Sequence, residues 1–289
     1  MNWKIERLSN VCTRMTIPYK ANPEWEQWGL LTADRHLDHP KSDRKLQRLH
    51  LDQAKEKQAF VIDIGDLFDA MQGRNDRRGT KSDLMNRHKE SNYLNQLVED
   101  AYEFLEPYKE NLAVIGEGNH ETAITKHMEY SLIDGLTYLL KKDGSPVVRG
   151  GYRGYLRFQF HHESGGARQS KTAYWHHGSG GGGPVTKGVI QTSRRAVYLP
   201  DADMVFTGHI HEQWKVPITR SRITASGNEY IDTQYHVQLP TYKDEFTNID
   251  GGFHHEGGRP PKPIGAWWIR FYYSARTGKI ETQILEAES

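Results

Sequence analysis

Five polar clusters, each placed directly after a short apolar run, carry most of the residues in this 289-residue chain that could do chemistry. Residues 28–33 lead into Asp34, Arg35 and His36, and residues 59–64 into Gly65, Asp66 and Asp69. Residues 112–115 lead into Gly118, Asn119, His120 and Glu121, residues 172–175 into His176 and His177, and residues 204–207 into Gly208, His209 and His211. These are carboxylates, an amide and imidazoles, with no sulfur. Such a donor set suits Mn, Fe or Zn, and two such ions need about eight protein ligands with one carboxylate shared. In an extended segment, residues two apart point the same way. Asp34 and His36 are therefore expected to reach one ion together, as are His209 and His211 if their loop stays extended. Gly65 and Gly118 let backbone approach such a centre closely.

The five runs are short, rich in β-branched and large apolar residues, and bounded by glycine, which predicts buried strands. Ligands of open α/β sheets bind beyond the carboxyl ends of the strands, so five clusters at five strand ends imply one shared site. Helices are expected over residues 40–57, with Leu46, Leu49 and Ala54 inward, and over a span capped by Ser82 and carrying Leu94, Leu97, Val98, Ala101, Tyr102 and Leu105. A third is expected over residues 122–141 with Ile124, Met128, Leu132, Leu136 and Leu139 inward, and one more over 185–198. Strand, helix, strand in this order means βαβ units and a largely parallel sheet. Alternation of Leu156, Phe158 and Phe160 with polar residues, followed by Ser164-Gly165-Gly166, predicts a hairpin. Beyond His211 strands are expected at 214–216, 218–224, 230–239, 266–273 and 280–285, with a long loop over 244–262. Because the clusters come from both halves, the expectation is one domain over residues 1–289, with a motif core at 28–211 and a β-rich part at 212–289 completing the second sheet.

Composition narrows the classes. Hydrophobic residues make up 36% and the net charge is +1, so disorder is excluded and whole-chain charge points to no partner. The longest apolar runs reach four or five residues, against the roughly 20 that a membrane helix needs. Cys12 is the single cysteine, which excludes an intramolecular disulfide and any zinc site built from cysteines. With no apolar leader in the first ten residues, the expected setting is cytoplasmic.

In order, the clusters read Asp-x-His, Gly-Asp-x-x-Asp, Gly-Asn-His-Glu, His and Gly-His-x-His over residues 34–211. This series resembles the calcineurin-like metallophosphoesterase superfamily, and more loosely its compact, phage-type members similar to DNA-repair exonucleases. The resemblance implies an α/β fold, a four-layer α/β/β/α sandwich of two mixed sheets flanked by helices. It also implies a binuclear enzyme that hydrolyses phosphoesters by in-line attack of a hydroxide held between two divalent metals. By that resemblance Asp34, His36, Asp66 and His211 hold one metal, and Asp66 bridges to a second completed by Asn119, His209 and His177, with His176 as the alternative. His120 is then the catalytic histidine near the leaving oxygen, and Asp69 orients its imidazole. Manganese is the expected metal, with iron, zinc, nickel or magnesium as alternatives.

The substrate is less legible. Asp69 is followed by Ala70-Met71, where the serine/threonine protein phosphatases carry an arginine for a phosphomonoester. The segment after it holds Arg74, Arg77, Arg78 and Lys81, along with Arg87 and Lys89, a local basic stretch that suits a polyanionic backbone. Arg194-Arg195 and Arg220 with Arg222 extend that expectation. The reading is a phosphodiesterase acting on nucleic acid or nucleotides, the alternatives being a phosphomonoesterase or a non-catalytic scaffold. Residues 179–183 (SGGGG) are either a flexible loop or a close-approach loop over phosphate. His39 is expected at the surface, and one of Trp267 and Trp268 in the core with the other at an edge.

Overall fold

The computed structural model describes residues 1–71, 84–89, 91–166, 168–183, 185–247 and 257–288. In chain order its elements are β1 Lys4–Arg7, β2 Cys12–Tyr19, β3 Glu26–Thr32, α1 Arg44–Glu56, β4 Phe60–Asp63, α2 Tyr93–Leu105, β5 Leu112–Ile115, α3 Asn119–Met128 and α4 Leu132–Lys142. They continue as β6 Val148–Arg149, β7 Arg153–His162, β8 Arg168–His176, α5 Gln191–Tyr198, β9 Met204–Thr207, β10 Trp214–Ile223, β11 Glu229–Gln238, β12 Trp267–Ser274 and β13 Lys279–Glu286. The strands form two mixed sheets, ordered β1-β2-β7-β8-β9-β11-β10 and β13-β12-β3-β4-β5-β6.

Side chains alternate across a strand, and that alternation sorts the apolar residues into three buried layers. Leu31, Phe60, Ile62 and Phe271 of one sheet meet Ile17, Phe158, Trp175 and Phe206 of the other. Their neighbours Leu30, Val61 and Trp268 face the opposite way, onto Leu51, Leu97, Phe104 and Leu136 of the helices. On the far face of the larger sheet, Tyr174 and Val205 meet Leu199 and Ala202 beside α5. The order is helices, sheet, sheet, helix, the expected α/β sandwich of two mixed sheets flanked by helices. Trp267 and Trp268 are both buried, one in each apolar layer, because β12 lies inside its sheet rather than at an edge.

Several expectations need correction. The tail does not close one sheet: β10 and β11 join the larger, whereas β12 pairs onto β3 in the other and β13 onto β12. Residues 214–223 form one strand through Pro217, which is tolerable because β10 is an edge and needs no donor there. The helix expected over 122–141 is two helices. Glu129 takes a left-handed φ of 53°, and the Ser131 hydroxyl accepts from Asp134 N at 3.2 Å to start α4. In α1, Leu49 is exposed while Gln47 and His50 are buried. Those polar residues face inward because Gln47 Oε1 accepts from Arg35 at 3.0 Å and His50 pairs with the Tyr242 hydroxyl at 2.7 Å. The helix from 185 shrinks to α5. Ser82 lies outside the described residues. The strands β1 and β2 had no sequence counterpart, although β2 buries Thr13, Met15, Ile17 and Tyr19 in strict alternation.

Candidate metal centre

Strands β3, β4 and β5 are parallel neighbours in one sheet, and β8 and β9 are parallel neighbours in the other. Their carboxyl ends meet at one end of the sandwich. Cross-links tie the loops there: Asp34 N donates to Gly65 O at 2.9 Å, His36 N to Asp66 O at 3.1 Å, and Gly208 N to His177 O at 2.8 Å. Between the sheets, His209 N donates to Asp34 Oδ2 at 2.9 Å.

Three groups of ligand atoms result, each with its atoms within 4.8 Å of one another: Asp34, His36 and His211; His36, Asp66 and His120; Asp66, His177 and His209. Asn119 Oδ1 lies 3.2 Å from His177 Nε2 and so joins the third group. Every one of the expected ligand positions except the alternative, His176, is therefore in the cluster. Strand alternation separates the two histidines. Trp175 faces the space between the sheets and Tyr174 faces α5, so His177 points inward and His176 outward. His176 Nδ1 instead accepts from Gly178 N at 2.9 Å.

The route to this convergence differs from the expectation. Asp34, His36, Asp66, His209 and His211 all have positive φ, at 51°, 46°, 52°, 72° and 53°. The segments are not extended; tight left-handed turns aim the side chains. Such conformations cost of order 1–3 kcal/mol each and persist where the surroundings over-determine them. The glycines matter for the close approach that was expected of them. A Cβ on Gly118 would sit 2.0 Å from Asp66 Oδ1, and one on Gly65 2.4 Å from the backbone at Glu117.

The oxygens behind the imidazoles fix what faces the centre. His36 Nδ1 lies 3.0 Å from Asp69 Oδ1, His177 Nδ1 is 3.2 Å from Ile64 O, and His120 Nδ1 contacts Asp69 O. Each of these oxygens calls for a proton on Nδ1, which leaves Nε2 as a lone pair aimed inward. His36 Nε2 and His211 Nε2 face each other at 3.4 Å. His177 Nε2 faces two acceptors, Asp66 Oδ2 at 3.1 Å and Asn119 Oδ1. Asp34 Oδ1 is buried and accepts no hydrogen bond among the described residues. Lone pairs directed at lone pairs in a buried site fit divalent cations. Burial would depress the His177 pKa, but Asp66 and Asp34 push it up to about 9. Burial would likewise raise Asp66, yet His177, His120 and His36 hold it well below the usual carboxylate range.

Asp69 has another partner than the expected one. Its carboxylate bonds His36 and the Lys243 ammonium at 2.9 Å, and only its backbone carbonyl meets His120. Asp69→Asn is therefore expected to weaken metal binding about 10–100-fold, as loss of a ligand-orienting partner does, with turnover recovering at saturating metal. Metal titration followed by assay at saturation separates this from a direct defect in turnover.

Sequence reading assigned no role to several buried polar residues here. Lys243 sits after β11, far from every motif, and only the fold brings it to Asp69. Glu121 of the Gly-Asn-His-Glu block ties the loops together: its carboxylate accepts from Asp66 N at 3.1 Å, Gly118 N at 2.8 Å and Phe68 N at 2.9 Å. Burial and the Asp66 charge push it up to about 8, with the amides pulling the other way. Asp38 accepts from Asp69 N and Ala70 N at 2.6 and 2.8 Å. His39, expected at the surface, is 3% exposed, its Nδ1 accepting from Lys41 N. Glu121→Ala would remove the acceptor of all three amides. A loss of about 2 kcal/mol or more in stability is expected from the orphaned amides, read by urea unfolding.

Arg74, Arg77, Arg78 and Lys81 lie outside the described residues. Arg87 is tied to Asp100 and Glu103, and Arg220 holds Asp232 through two bonds of 2.7 and 2.9 Å, so neither extends a free basic surface.

No protein-family model and no curated protein matches the chain. Among solved structures it is similar to Vps29 from Entamoeba histolytica complexed with zinc, at 8% identity and a TM-score of 0.35, covering 90% of this chain and 99% of that one. It is similar also to GAP50, the anchor in the inner membrane complex of Plasmodium, at 11% identity and a TM-score of 0.43, covering 91% and 90%. A third is protein TM1076 of Thermotoga maritima, at 12% identity and a TM-score of 0.32, covering 90% and 99%. All three scores lie below 0.5, so the reading of the site rests on the chain's own residues. Among the described residues no helix is long and apolar enough to cross a membrane.

Proposed function

We propose that this chain is a binuclear metal-dependent phosphoesterase of the calcineurin-like kind, hydrolysing phosphodiester bonds of nucleic acid or nucleotides. The observation that carries it is the convergence of five ordered strand-end blocks on adjacent groups of ligand atoms, with Asp66 common to two of them. Two divalent ions, when bound, would polarise phosphoryl oxygens and make a water nucleophilic at neutral pH. Asp34, His36 and His211 would hold one, and Asn119, His177 and His209 the other, with Asp66 shared between them. Manganese is the metal favoured for the first trial.

The chain's own groups supply the rest. His120 keeps its Nδ1 proton on the Asp69 carbonyl, so its Nε2 can carry a second proton to a leaving oxygen. Neighbouring Asp66 and Asp69 charges raise its pKa against the opposing effect of burial, which favours that protonated form. Its side chain stays 11% exposed while that of His177 is fully buried, so a substrate can touch the His120 imidazole. No nucleophilic side chain is needed.

Manganese-supplemented hydrolysis of bis-p-nitrophenyl phosphate, p-nitrophenyl phosphate and labelled DNA, run side by side, tests the reading. Turnover of the diesters, abolished by EDTA and restored by metal, is the expected result. Preference for the monoester would replace it with a phosphomonoesterase, and inertness on all three with a scaffold.

A further inference from the structure

The glycine-rich stretch after His177 borders a cavity of about 200 Å³ that the metal centre does not use. Gln191, Arg194 and Arg195 of α5 line it together with Gly178, Gly208 and Gln238. Gly178 and Gly208 each adjoin a candidate ligand, His177 and His209, so the cavity opens one residue away from the centre.

Three observations give its character. First, its described lining includes two arginines and no carboxylate. Among the described residues Arg194 has no hydrogen-bond or ion-pair partner, and Arg195 makes only a weak side-chain contact, to the Thr207 hydroxyl at 3.4 Å. Elsewhere nearby, Arg220 is neutralised by Asp232. Two uncompensated guanidinium groups in one concavity call for an anion.

Second, the layer beneath α5 adds buried polar side chains to its apolar ones. Thr207, Gln234, His236 and Gln238 are buried there. Thr207 Oγ1 donates to Gln238 Oε1 at 2.8 Å, and Gln238 Nε2 donates to Gly208 O at 2.7 Å. This network fixes the wall shared by the cavity and the His209 loop. Burial, with Arg195 and Arg220, depresses His236 to about 4, so at neutral pH the arginines and not His236 carry the positive charge.

Third, the glycine loop is held at both ends rather than loose. The Tyr152 hydroxyl donates to Gly178 O at 2.7 Å, and Trp214 Nε1 donates to Lys187 O at 2.9 Å. A Cβ on Gly178 would lie 2.6 Å from His209 Cβ, so glycine is required for the loop to pass that close to the centre.

We infer that this cavity binds a backbone phosphate flanking the scissile one, which makes the substrate a polynucleotide strand rather than a lone nucleotide. The inference rests on the phosphodiesterase reading for the scissile bond, but the cavity's affinity for a strand can be measured without catalysis. The probe is a fluorescein-labelled twelve-residue thymidine oligonucleotide, bound by the metal-free full chain in EDTA and followed by anisotropy from 50 to 300 mM KCl. Each phosphate contact on a single strand contributes about 0.7 to the log–log salt slope, which is about 5-fold in affinity at 0.1 M salt. Arg194→Ser with Arg195→Ser removes that one contact and is expected to flatten the slope by about 0.7 and weaken binding about 5-fold. Arg194→Ser alone, at an exposed position that folding does not need, should give half the change in slope. Lysine at both positions should retain the slope, and Lys141→Ser with Lys142→Ser, both exposed at the end of α4, should leave it unaltered. An unchanged slope in the serine variants, or an equal loss in the α4 control, would overturn the inference. Absence of diester turnover in the wild type would instead remove the catalytic reading and leave the slope contrast standing.

Discussion

Asp66→Asn is expected to purify folded, with far less than the two equivalents of metal that the wild type should approach, and to lose at least about 10³-fold in diester turnover. The figure follows from several kcal/mol of charge stabilisation forfeited with the metals, at 1.36 kcal/mol per decade of rate. Asp66 is the position where the two halves of the centre meet. Its Oδ2 is 3.1 Å from His177 Nε2, its Oδ1 accepts from His120 N at 3.0 Å, and it shares a ligand group with His36 as well. Asparagine keeps the shape. Its carbonyl can still accept from His120 N while its amide donates to the His177 lone pair, so no buried group is orphaned and the loops should hold. What disappears is the anion, and with it the ligand common to both ions. Metal content by mass spectrometry, circular dichroism and turnover on bis-p-nitrophenyl phosphate decide the matter together. Native folding with near-stoichiometric metal and activity within tenfold of wild type would show that Asp66 does not bridge.

How much of this was legible in the chain depends on the distance over which each signal acts. The strands that end in ligands are short apolar runs, and β5 and β9 have the expected bounds, because burial on both faces leaves a continuous hydrophobic signature. The clusters were readable for the same local reason: each sits just past its strand. Strand parity held the answer to His176 against His177, since Trp175 and His177 share a face. Long-range features were silent. Nothing local to Lys243 says that it will meet Asp69, 174 residues away, and nothing near Gln47 says that a buried Arg35 will claim it. The left-handed turns at Asp34 and His36 were equally hidden, because φ there is dictated by loop-to-loop hydrogen bonds and not by residue type. Asp69 illustrates the cost. The motif identified a carboxylate behind a histidine, but which histidine was a question of three-dimensional reach, and the fold answered His36.

The assignment of His120 makes the last prediction, and its size depends on the leaving group. If its Nε2 delivers a proton to the departing oxygen, its loss matters most where that oxygen leaves as a poor, strongly basic alkoxide. His120→Asn should then lower turnover of a thymidine dinucleotide by roughly 10²–10⁴, the range of general acid–base assistance. On bis-p-nitrophenyl phosphate the loss should be much smaller, because p-nitrophenolate departs without a proton. The geometry permits this separation of roles. His120 Nε2 stands 3.8 Å from Asp66 Oδ2, too far for a hydrogen bond, whereas His177 and His211 come within 3.1 and 3.2 Å of their carboxylates. Metal content should therefore survive the substitution. The competing possibility is on the same map, since His36, Asp66 and His120 also form a group tight enough to hold an ion. A ligand role would empty that position and depress both substrates equally, with excess manganese restoring both. A general acid gives the opposite pattern: full metal, unequal losses, and no rescue by metal at any concentration.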